Sequence, residues 1–258
     1  MLAVLSAVCL FPILWMLLSS LKGDADISSL TLLPHVPTLA NYAAVVTELP
    51  ILAMIANTVV MAGAVTVLQL VTSVLAAYAF GRWRFRMDWL LYTLVIGTWL
   101  VPFQITMIPN YVVIAGLHWL NTLQALIVPQ VASAFGVILL TQAVRSFPAA
   151  LFDAASLDGA GSWTTLWRVV LPNLRATLAA LAILQFISSW NEYFWPLLVT
   201  DKPTHTVLQV GLQMFFTDQG NQWGPLMAAA SIASLPILAV FLVSQRQVMD
   251  AFVRSGLK

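Results

Sequence analysis

Charged residues are scarce in this sequence. Asp, Glu, Lys and Arg make up 8% of its 258 residues, and hydrophobic residues make up 60%. An ordinary soluble domain has about 25% charged residues, so the composition excludes that class and predicts a protein embedded in a lipid bilayer. A membrane-spanning helix needs about 20 mostly apolar residues. Six stretches meet this requirement: Leu2 to Leu21, Ile51 to Phe80, Trp89 to Pro109, Leu120 to Val144, Ala176 to Val199 and Pro225 to Val243.

Residues that carry enzyme chemistry are also few. The single cysteine excludes a disulfide within the chain, and the three histidines have no metal-ligand spacing. The sequence contains no GxxxxGK[ST] phosphate loop, since Lys22, Lys202 and Lys258 do not occur in such a setting. No nucleophile, base or metal-ligand set converges inside the apolar stretches. We therefore expect a chain that is not an enzyme and that binds no cofactor or metal.

The basic residues occur in three clusters, in the segments that follow the second, fourth and sixth apolar stretches. The clusters hold nine of the eleven Lys and Arg residues: Arg82, Arg84, Arg86, Arg145, Arg168, Arg175, Arg246, Arg254 and Lys258. Because basic loops of membrane proteins face the cytoplasm, we expect six crossings with both termini cytoplasmic. The first stretch has no basic lead and no convincing small-residue cleavage site, which favours a membrane helix over a signal peptide.

Proline and polar residues within the apolar stretches indicate a packed bundle. Prolines at positions 12, 102, 129 and 236 each remove a backbone donor, which a membrane tolerates only where neighbouring groups compensate, so we expect bent helices there. Five polar residues of the fifth stretch cluster near its outer end: Gln185, Ser188, Ser189, Asn191 and Glu192. All but Asn191, which borders them, share one helical face, predicted to meet protein or a watery cavity.

The polar candidates leave two interpretations open. Glu192 fits an interhelical hydrogen bond or a pairing at an outer gate, and it also fits direct contact with a passing solute. Gln104, Gln124 and Gln130 allow the same alternatives, and Gln104, Gln130, Gln185, Ser188, Asn191 and Glu192 form our candidate translocation path. The neighbouring aromatics Trp190, Tyr193 and Trp195 fit a membrane-interface belt better than a sugar-stacking platform.

The segment from Phe147 to Arg175 reads FPAALFDAASLDGAGSWTTLWRVVLPNLR. Pro148 suits the first turn of a helix, which we expect to run to Leu157 before Asp158 and Gly159 turn the chain. We expect Ser162 to cap a second short helix from Trp163 to Val170, and Leu171 with Pro172 to end that helix before the fifth membrane helix.

The same segment carries a family signature. Its elements are Asp153-Ala154-Ala155, three residues, Gly159, nine residues, Val169, one residue and Leu171-Pro172. This pattern resembles the cytoplasmic loop of ABC importer permeases, which begins Glu-Ala-Ala and closes with Ile before Leu-Pro. The departures are Asp153 for Glu and Val169 for Ile, and the spacing is unbroken.

Further motifs are similar to the carbohydrate-uptake branch of that family, which includes maltose-transporter-type and glycerol-3-phosphate-type permeases. They are Asp158-Gly159-Ala160, Trp190-Asn191-Glu192, Trp195-Pro196-Leu197, Ser20-Leu21-Lys22 and Pro37-Thr38-Leu39-Ala40-Asn41-Tyr42. The resemblance covers essentially the whole chain.

The resemblance implies an all-α integral membrane protein with six transmembrane helices, a type I ABC importer permease fold and one domain over residues 1–258. The loop over about residues 145–175 would hold a coupling helix that docks on a cytoplasmic ATPase. By position, the coupling residues would be Asp153, Ala154, Ala155, Asp158, Gly159, Leu171 and Pro172. Asp153 would accept hydrogen bonds from the ATPase or hold the helix terminus. The tail from Arg246 to Lys258 would reach the same ATPase or act as a solvated basic anchor.

The implied partners are a second homologous permease, an ATPase dimer that binds ATP and Mg, an extracytoplasmic solute-binding protein and membrane lipid, with no nucleic acid. The implied function is import of a sugar or a glycerol phosphate compound by alternating access, in a bacterial or archaeal plasma membrane. The alternatives are an ABC permease for amino acids, peptides or polyamines, and an ion-coupled secondary transporter. Against the latter stand the missing inverted repeat and the missing midplane acid.

Overall fold

A computed structural model describes residues 1–29, 31–217 and 220–256, and helices dominate it. The longer helices are α1 (Leu2–Ser19), α3 (Ala40–Glu48), α4 (Ile51–Arg82), α5 (Asp88–Leu100), α6 (Phe103–Gly116), α8 (Ala134–Arg145), α9 (Ala149–Leu157), α11 (Leu171–Trp190) and α14 (Trp223–Gly256). The shorter ones are α2 (Asp24–Ile27), α7 (Leu123–Ile127), α10 (Ser162–Thr165), α12 (Phe194–Val199) and α13 (Leu208–Gln213). A 3₁₀ turn spans Val128–Gln130, and a π turn spans Leu166–Val170. Two antiparallel strands of two residues each, β1 (Phe216–Thr217) and β2 (Gly220–Asn221), precede α14.

The helices that could span a membrane overlap the predicted stretches, and the fifth begins and ends earlier than predicted. Three helices are long and apolar enough to cross a bilayer by themselves: Ile51–Arg82, Ser162–Trp190 and Trp223–Val243. Two bent pairs also qualify if each pair forms one span: Asp88–Leu100 with Phe103–Gly116, and Leu123–Gln130 with Ala134–Arg145. The first predicted stretch corresponds to α1, whose apolar part, Val4–Ser19, is shorter than the other spans. The all-α membrane fold is therefore confirmed, and the count of six crossings stays a prediction.

Two of the four predicted proline bends coincide with helix breaks. Helix α5 ends at Leu100, and the pair α5–α6 is bent by 97° across Val101 and Pro102. Val101 is extended (φ −77°, ψ 118°), as the steric clash with a following proline ring requires. Pro129 lies in the 3₁₀ turn of the second bent pair, which turns by 41°. Pro12 and Pro236 lie inside α1 and α14, which continue past them.

The chain divides into two compact units. The first comprises residues 1–60, 121–123 and 191–239, and the second comprises residues 61–120, 124–190 and 240–258. The assignment of one domain to the chain stays a prediction. Lys258, the last residue of the predicted basic tail, lies outside the described residues.

Two branch motifs pack against each other in the first unit. The buried Asn41 donates from Nδ2 to the carbonyl oxygens of Ser20 (2.9 Å) and Lys22 (2.7 Å). The hydroxyls of Ser20 and Tyr42 are 2.8 Å apart, and Lys22 Nζ donates to the Thr31 carbonyl at 2.6 Å. The motifs Ser20-Leu21-Lys22 and Asn41-Tyr42 are therefore joined by hydrogen bonds just after the end of α1.

Candidate functional site

Helix α9 of the predicted coupling loop is fixed to the second unit by its inner face. The helix begins directly after Pro148, and Phe152 and Ala155 are its buried residues. Phe152 belongs to an apolar cluster with Tyr78 of α4 and Leu174 of α11. Burial of a phenylalanine side chain contributes about 1.5–3 kcal/mol. Helix α9 therefore packs directly against two long helices.

The outer face of α9 carries the signature residues that point away from this cluster. Asp153 and Ala154 are exposed, and Asp158, which follows the helix, is exposed as well. Leu157, one turn beyond Asp153, is 89% exposed. The outer face therefore combines a carboxylate, a small alanine and an uncovered apolar side chain. Ala155 of the signature instead packs inward.

The turn after α9 depends on Gly159. Its φ is +71°, a left-handed conformation that glycine adopts without steric cost. The Gly159 N–H donates to the Ser156 carbonyl at 3.1 Å, and the Ala160 N–H donates to the Ala155 carbonyl at 2.9 Å. These two bonds make a Schellman motif, which satisfies carbonyls at the end of the helix. The predicted helix and the predicted turn are thus confirmed.

The prediction that Pro172 ends a second short helix is wrong. The helical path from Ser162 continues through the π turn into α11 and ends at Trp190. In the π turn the Leu171 N–H donates to the Leu166 carbonyl, five residues earlier, so the helix is wider just before the proline ring. Asn173 Nδ2 donates to the Val169 carbonyl at 2.7 Å. The predicted Ser162 side-chain cap is absent, and Gly161 is the N-cap residue.

Further contacts tie the loop to the cytoplasmic end predicted for α4. Tyr78 Oη donates to the Ser162 carbonyl at 3.1 Å. The Arg82 guanidinium lies over the Phe152 ring, 4.8 Å from its centroid. Trp163 and Trp167 are exposed and in edge contact, with ring centroids 6.4 Å apart. Residues of α4 thus contact both helical parts of the loop, α9 and the helix that begins at Ser162.

A cavity of about 700 Å³ opens in the second unit beside the breaks at Pro102 and Pro129. Its polar lining consists of hydroxyl and amide side chains: Thr72, Thr98, Thr106, Asn110 and Ser133. Trp99 and Phe103 add aromatic surface, and the remaining lining residues are aliphatic or proline. No charged side chain of the described residues lines it. Hydroxyl and amide groups both donate and accept hydrogen bonds, and aromatic rings offer apolar faces.

The candidate path residues of the second unit do not line this cavity. Gln104 and Ser188 are exposed, and Gln130 Nε2 donates to the Leu126 carbonyl within its own turn at 2.8 Å. Gln185 is buried, and neither its Nε2 nor its Oε1 has a hydrogen-bond partner. The equally unpartnered Ser73 Oγ and the Gln185 Nε2 both lie within 3.0 Å of the position that a Cβ at Gly136 would occupy.

The predicted polar face of the fifth stretch is interrupted. Helix α11 ends at Trp190, so Glu192 is not on the helix that carries Gln185 and Ser189. Glu192 Oε1 accepts a hydrogen bond from the Trp195 N–H at 3.2 Å, which caps the first turn of α12. Asn191 Oδ1 accepts from Gln209 Nε2 at 3.3 Å. The Glu192 bond is local, three residues along the chain, and the two interpretations of Glu192 stay predictions.

The prediction of an aromatic interface belt at this break is wrong for two residues. Trp190 and Trp195 are completely buried inside the chain, and Trp190 stacks on Phe186 with ring centroids 5.8 Å apart. Rings at a membrane interface and rings packed at a helix break both lie next to polar atoms. The alternation of aromatic and polar residues therefore does not distinguish the two arrangements. Tyr193 is half-buried.

One acid in the predicted external segments has a perturbed pKa. The pKa of Asp26 is lowered to about 2, chiefly because the His35 backbone N–H donates to its carboxylate at 2.9 Å. The Ser29 hydroxyl and the His35 ring add hydrogen bonds of 2.8 Å each. The Asp26 carboxylate thus joins α2 by hydrogen bonds to Ser29 and His35 of the segment between α2 and α3.

Comparison with known families decides the classification. The family described as "binding-protein-dependent transport system inner membrane component" matches residues 69–252. This chain belongs to that family. The match includes the whole signature loop, both proline breaks and the polar residues of the fifth stretch.

Relatives of this permease are permease proteins of solute transport systems. It is 35% identical over 204 residues to the sn-glycerol-3-phosphate transport system permease protein UgpE of Yersinia enterocolitica, covering 78% of this chain and 73% of the relative. It is 30% identical over 246 residues to the lactose transport system permease protein LacG of Rhizobium radiobacter, covering 95% and 90%. The permease is a multi-pass inner membrane subunit of an ABC importer, in which ATP hydrolysis belongs to a separate subunit.

A solved structure has the same fold as the permease. A chain of a bacterial ABC transporter involved in the import of the acidic polysaccharide alginate superposes with a TM-score of 0.84. The superposition covers 95% of the permease and 92% of that chain, at 24% sequence identity. The type I permease fold inferred from the signature is confirmed.

Sequence reasoning missed the cavity residues of the permease. Thr98, Thr106 and Asn110 flank the Pro102 break, and Ser133 follows the Pro129 break. The available signal was the occurrence of hydroxyl and amide residues within a few positions of a helix-breaking proline.

Proposed function

We propose that the permease imports a neutral sugar by alternating access, with the exposed face of α9 as its contact to a cytoplasmic ATPase. The assembly would contain a second homologous permease, an ATPase dimer that binds ATP and Mg, and an extracytoplasmic solute-binding protein. Both termini and the loop of residues 145–175 would face the cytoplasm.

The arrangement of α9 is the observation that carries the coupling role. Its inner side chain Phe152 packs with residues of α4 and α11, and its outer residues Asp153 and Ala154 are exposed. A helix with one face locked into the bundle and one face uncovered transmits a push from a docked partner. Gly159 ends that helix sharply, so the docking element has a defined length.

The cavity of the second unit supports a neutral solute. A phosphate ester carries negative charge, and its recognition in a low-dielectric site requires a cation or several aligned N–H donors. The cavity offers threonine, serine and asparagine side chains with a tryptophan ring, and no lysine, arginine or histidine of the described chain lines it. Two relatives are named for lactose and arabinooligosaccharides, which are uncharged, whereas others are named for sn-glycerol-3-phosphate and sulfoquinovosyl glycerol, which are anions.

The topology rests on the basic residues. Arg82 ends α4, and Arg145 ends α8. Both helices therefore terminate with a cation on the side that carries the coupling loop, in agreement with the positive-inside rule. Placing cysteines at exposed loop positions 84 and 201 and labelling intact cells with an impermeant thiol reagent tests this: position 201 should react and position 84 should not.

The coupling role is tested by Ala154→Arg with Ser156→Arg as the matched control. Both residues are exposed on α9 and lie about 160° apart around the helix. We expect the Ala154 variant to reduce co-purification of the ATPase and solute-stimulated hydrolysis at least tenfold, and the Ser156 variant to retain both. Equal behaviour of the two variants would show that α9 does not dock through this face.

The solute class is tested by thermal-shift and calorimetric screening of the cognate binding protein with disaccharides, oligosaccharides and glycerol 3-phosphate, followed by uptake in vesicles. A sugar that binds and is imported supports the proposal. Import of glycerol 3-phosphate alone would contradict the neutral solute and would leave the coupling role unaffected.

A further inference from the structure

A small pocket lies beside α9, separate from the large cavity. Its volume is about 190 Å³, which equals that of about six water molecules in the liquid. It is lined by Gly81, Arg82, Val144, Arg145, Phe147, Ala149, Phe152 and Asp153. The two arginines come from the ends of two different long helices, α4 and α8, so the pocket concentrates positive charge at one place.

Aromatic rings hold both guanidinium groups in position. Arg82 lies 4.8 Å from the centroid of the Phe152 ring, and Arg145 lies 4.9 Å from that of Tyr92. Arg145 Nη2 also donates to the Phe80 carbonyl at 3.2 Å. Stacked guanidinium groups keep several N–H donors free, and their planar geometry matches the oxygens of a phosphate or carboxylate.

Neither arginine is neutralised within the part of the chain that the structure describes. No carboxylate there lies within 4.0 Å of Arg82 or Arg145, although Asp153 lines the same pocket. By contrast, Arg84 has Asp88 at 3.6 Å. Two arginines and one aspartate line the pocket, so its lining carries a net formal charge of +1, which favours a bound anion.

The surroundings of the pocket indicate the level of lipid head groups. It lies at the ends of two apolar helices, and Phe80 contacts both Phe85 and Tyr92, with ring centroids 5.8 and 5.5 Å apart. Trp83, which follows Arg82 of the pocket in sequence, packs on the Tyr78 ring. Aromatic residues are enriched at the boundary between hydrocarbon and head groups, and basic pockets between membrane helices at the cytoplasmic side bind anionic head groups.

We propose that this pocket binds the phosphate group of an anionic phospholipid of the cytoplasmic leaflet, between Arg82 and Arg145. The lipid phosphate contacts the side of α9 through the space that Phe152 and Asp153 line. A lipid bound in the pocket therefore helps to fix the position of α9, whose outer face is proposed to dock on the ATPase. The proposal concerns lipid binding and stands whether or not the docking role is correct.

The test uses the complete importer in detergent after reconstitution with phosphatidylcholine and phosphatidylglycerol, and counts retained phosphatidylglycerol by native mass spectrometry. Arg82→Gln and Arg145→Gln each remove one charged donor, and Arg84→Gln removes an exposed arginine outside the pocket as the control. Loss of a hydrogen bond to a charged group weakens binding about tenfold or more. We expect that reduction for Arg82→Gln and Arg145→Gln, and unchanged retention for Arg84→Gln.

A second measurement on the unmodified protein guards against unfolding of the variants. A photoactivatable phosphatidylglycerol should label peptides that contain residues 80–86 or 143–153. Labelling that persists at 50 mM inorganic phosphate identifies the lipid, whereas loss of labelling together with phosphate binding shows that the site takes free phosphate and overturns the lipid assignment. Equal lipid retention in all three variants also overturns the proposal. If Arg82→Gln and Arg145→Gln release the ATPase but keep the lipid, the pocket binds a carboxylate of the partner protein and the proposal is likewise overturned.

Discussion

Replacing Gly159 by alanine should uncouple solute binding from ATP hydrolysis without disturbing the membrane helices. An added Cβ at Gly159 meets no atom within 4 Å, so the cost is purely that of the backbone conformation at φ +71°. For a residue other than glycine this left-handed conformation costs roughly 1–2 kcal/mol. A difference of that size lowers the equilibrium ratio of the native turn to its alternatives by a factor of about 5–30. The Schellman bonds to Ser156 and Ala155 are lost together with the turn.

Gly161→Ala is the matched control, because its φ is −67° and its Cβ also meets nothing within 4 Å. Solute-stimulated ATPase activity and uptake should be measured in proteoliposomes for both variants, together with basal ATPase activity and the melting temperature. We expect a several-fold loss of stimulation for Gly159→Ala only. Equal stimulation in the two variants and the unmodified importer would refute the reasoning.

Three further predictions follow from local packing and charge. Phe152→Ala removes the side chain that fixes α9 to the bundle, so the permease should lose about 3–5 kcal/mol of stability, measured by thermal unfolding in detergent. Gly136→Ala places a Cβ against the Ser73 hydroxyl and should cost about 1–3 kcal/mol, and adding Ser73→Ala should restore much of the melting temperature; no recovery would contradict the contact. The pKa of Asp26 is lowered to about 2 from 3.8, so its contribution to stability is complete above about pH 4 and is lost as the pH falls through about 2. The carboxyl carbon NMR signal of Asp26 should accordingly show its acid transition with a midpoint near pH 2, and a midpoint near pH 4 would contradict the hydrogen bonds.

The sequence predicted those features of the coupling loop that depend on local chemistry. A helix after Pro148 and a left-handed turn at Gly159 follow from single-residue preferences, and both are present. The apolar lengths likewise located the long helices. The role of Asp153 and Ala154 in docking stays a prediction, because it concerns a partner surface.

The errors have a common physical origin, since each depends on how the backbone accommodates a local conflict. Pro172 does not end its helix, because a π turn widens the helix just before the ring. Glu192 does not continue the polar face of Gln185, because the helix stops at Trp190 and restarts at Phe194. No residue pattern distinguishes a widened or interrupted helix from a regular one when tertiary packing decides between them.

The central claim is that this chain moves solute with energy from a partner ATPase. It is tested most directly by uptake of radiolabelled solute into proteoliposomes that contain the complete importer and its binding protein, with ATP, with a non-hydrolysable ATP analogue, and with an ionophore that abolishes ion gradients. We predict uptake with ATP, insensitive to the ionophore, and none with the analogue. Uptake that persists without ATP hydrolysis and stops when the ion gradient is abolished would contradict the account.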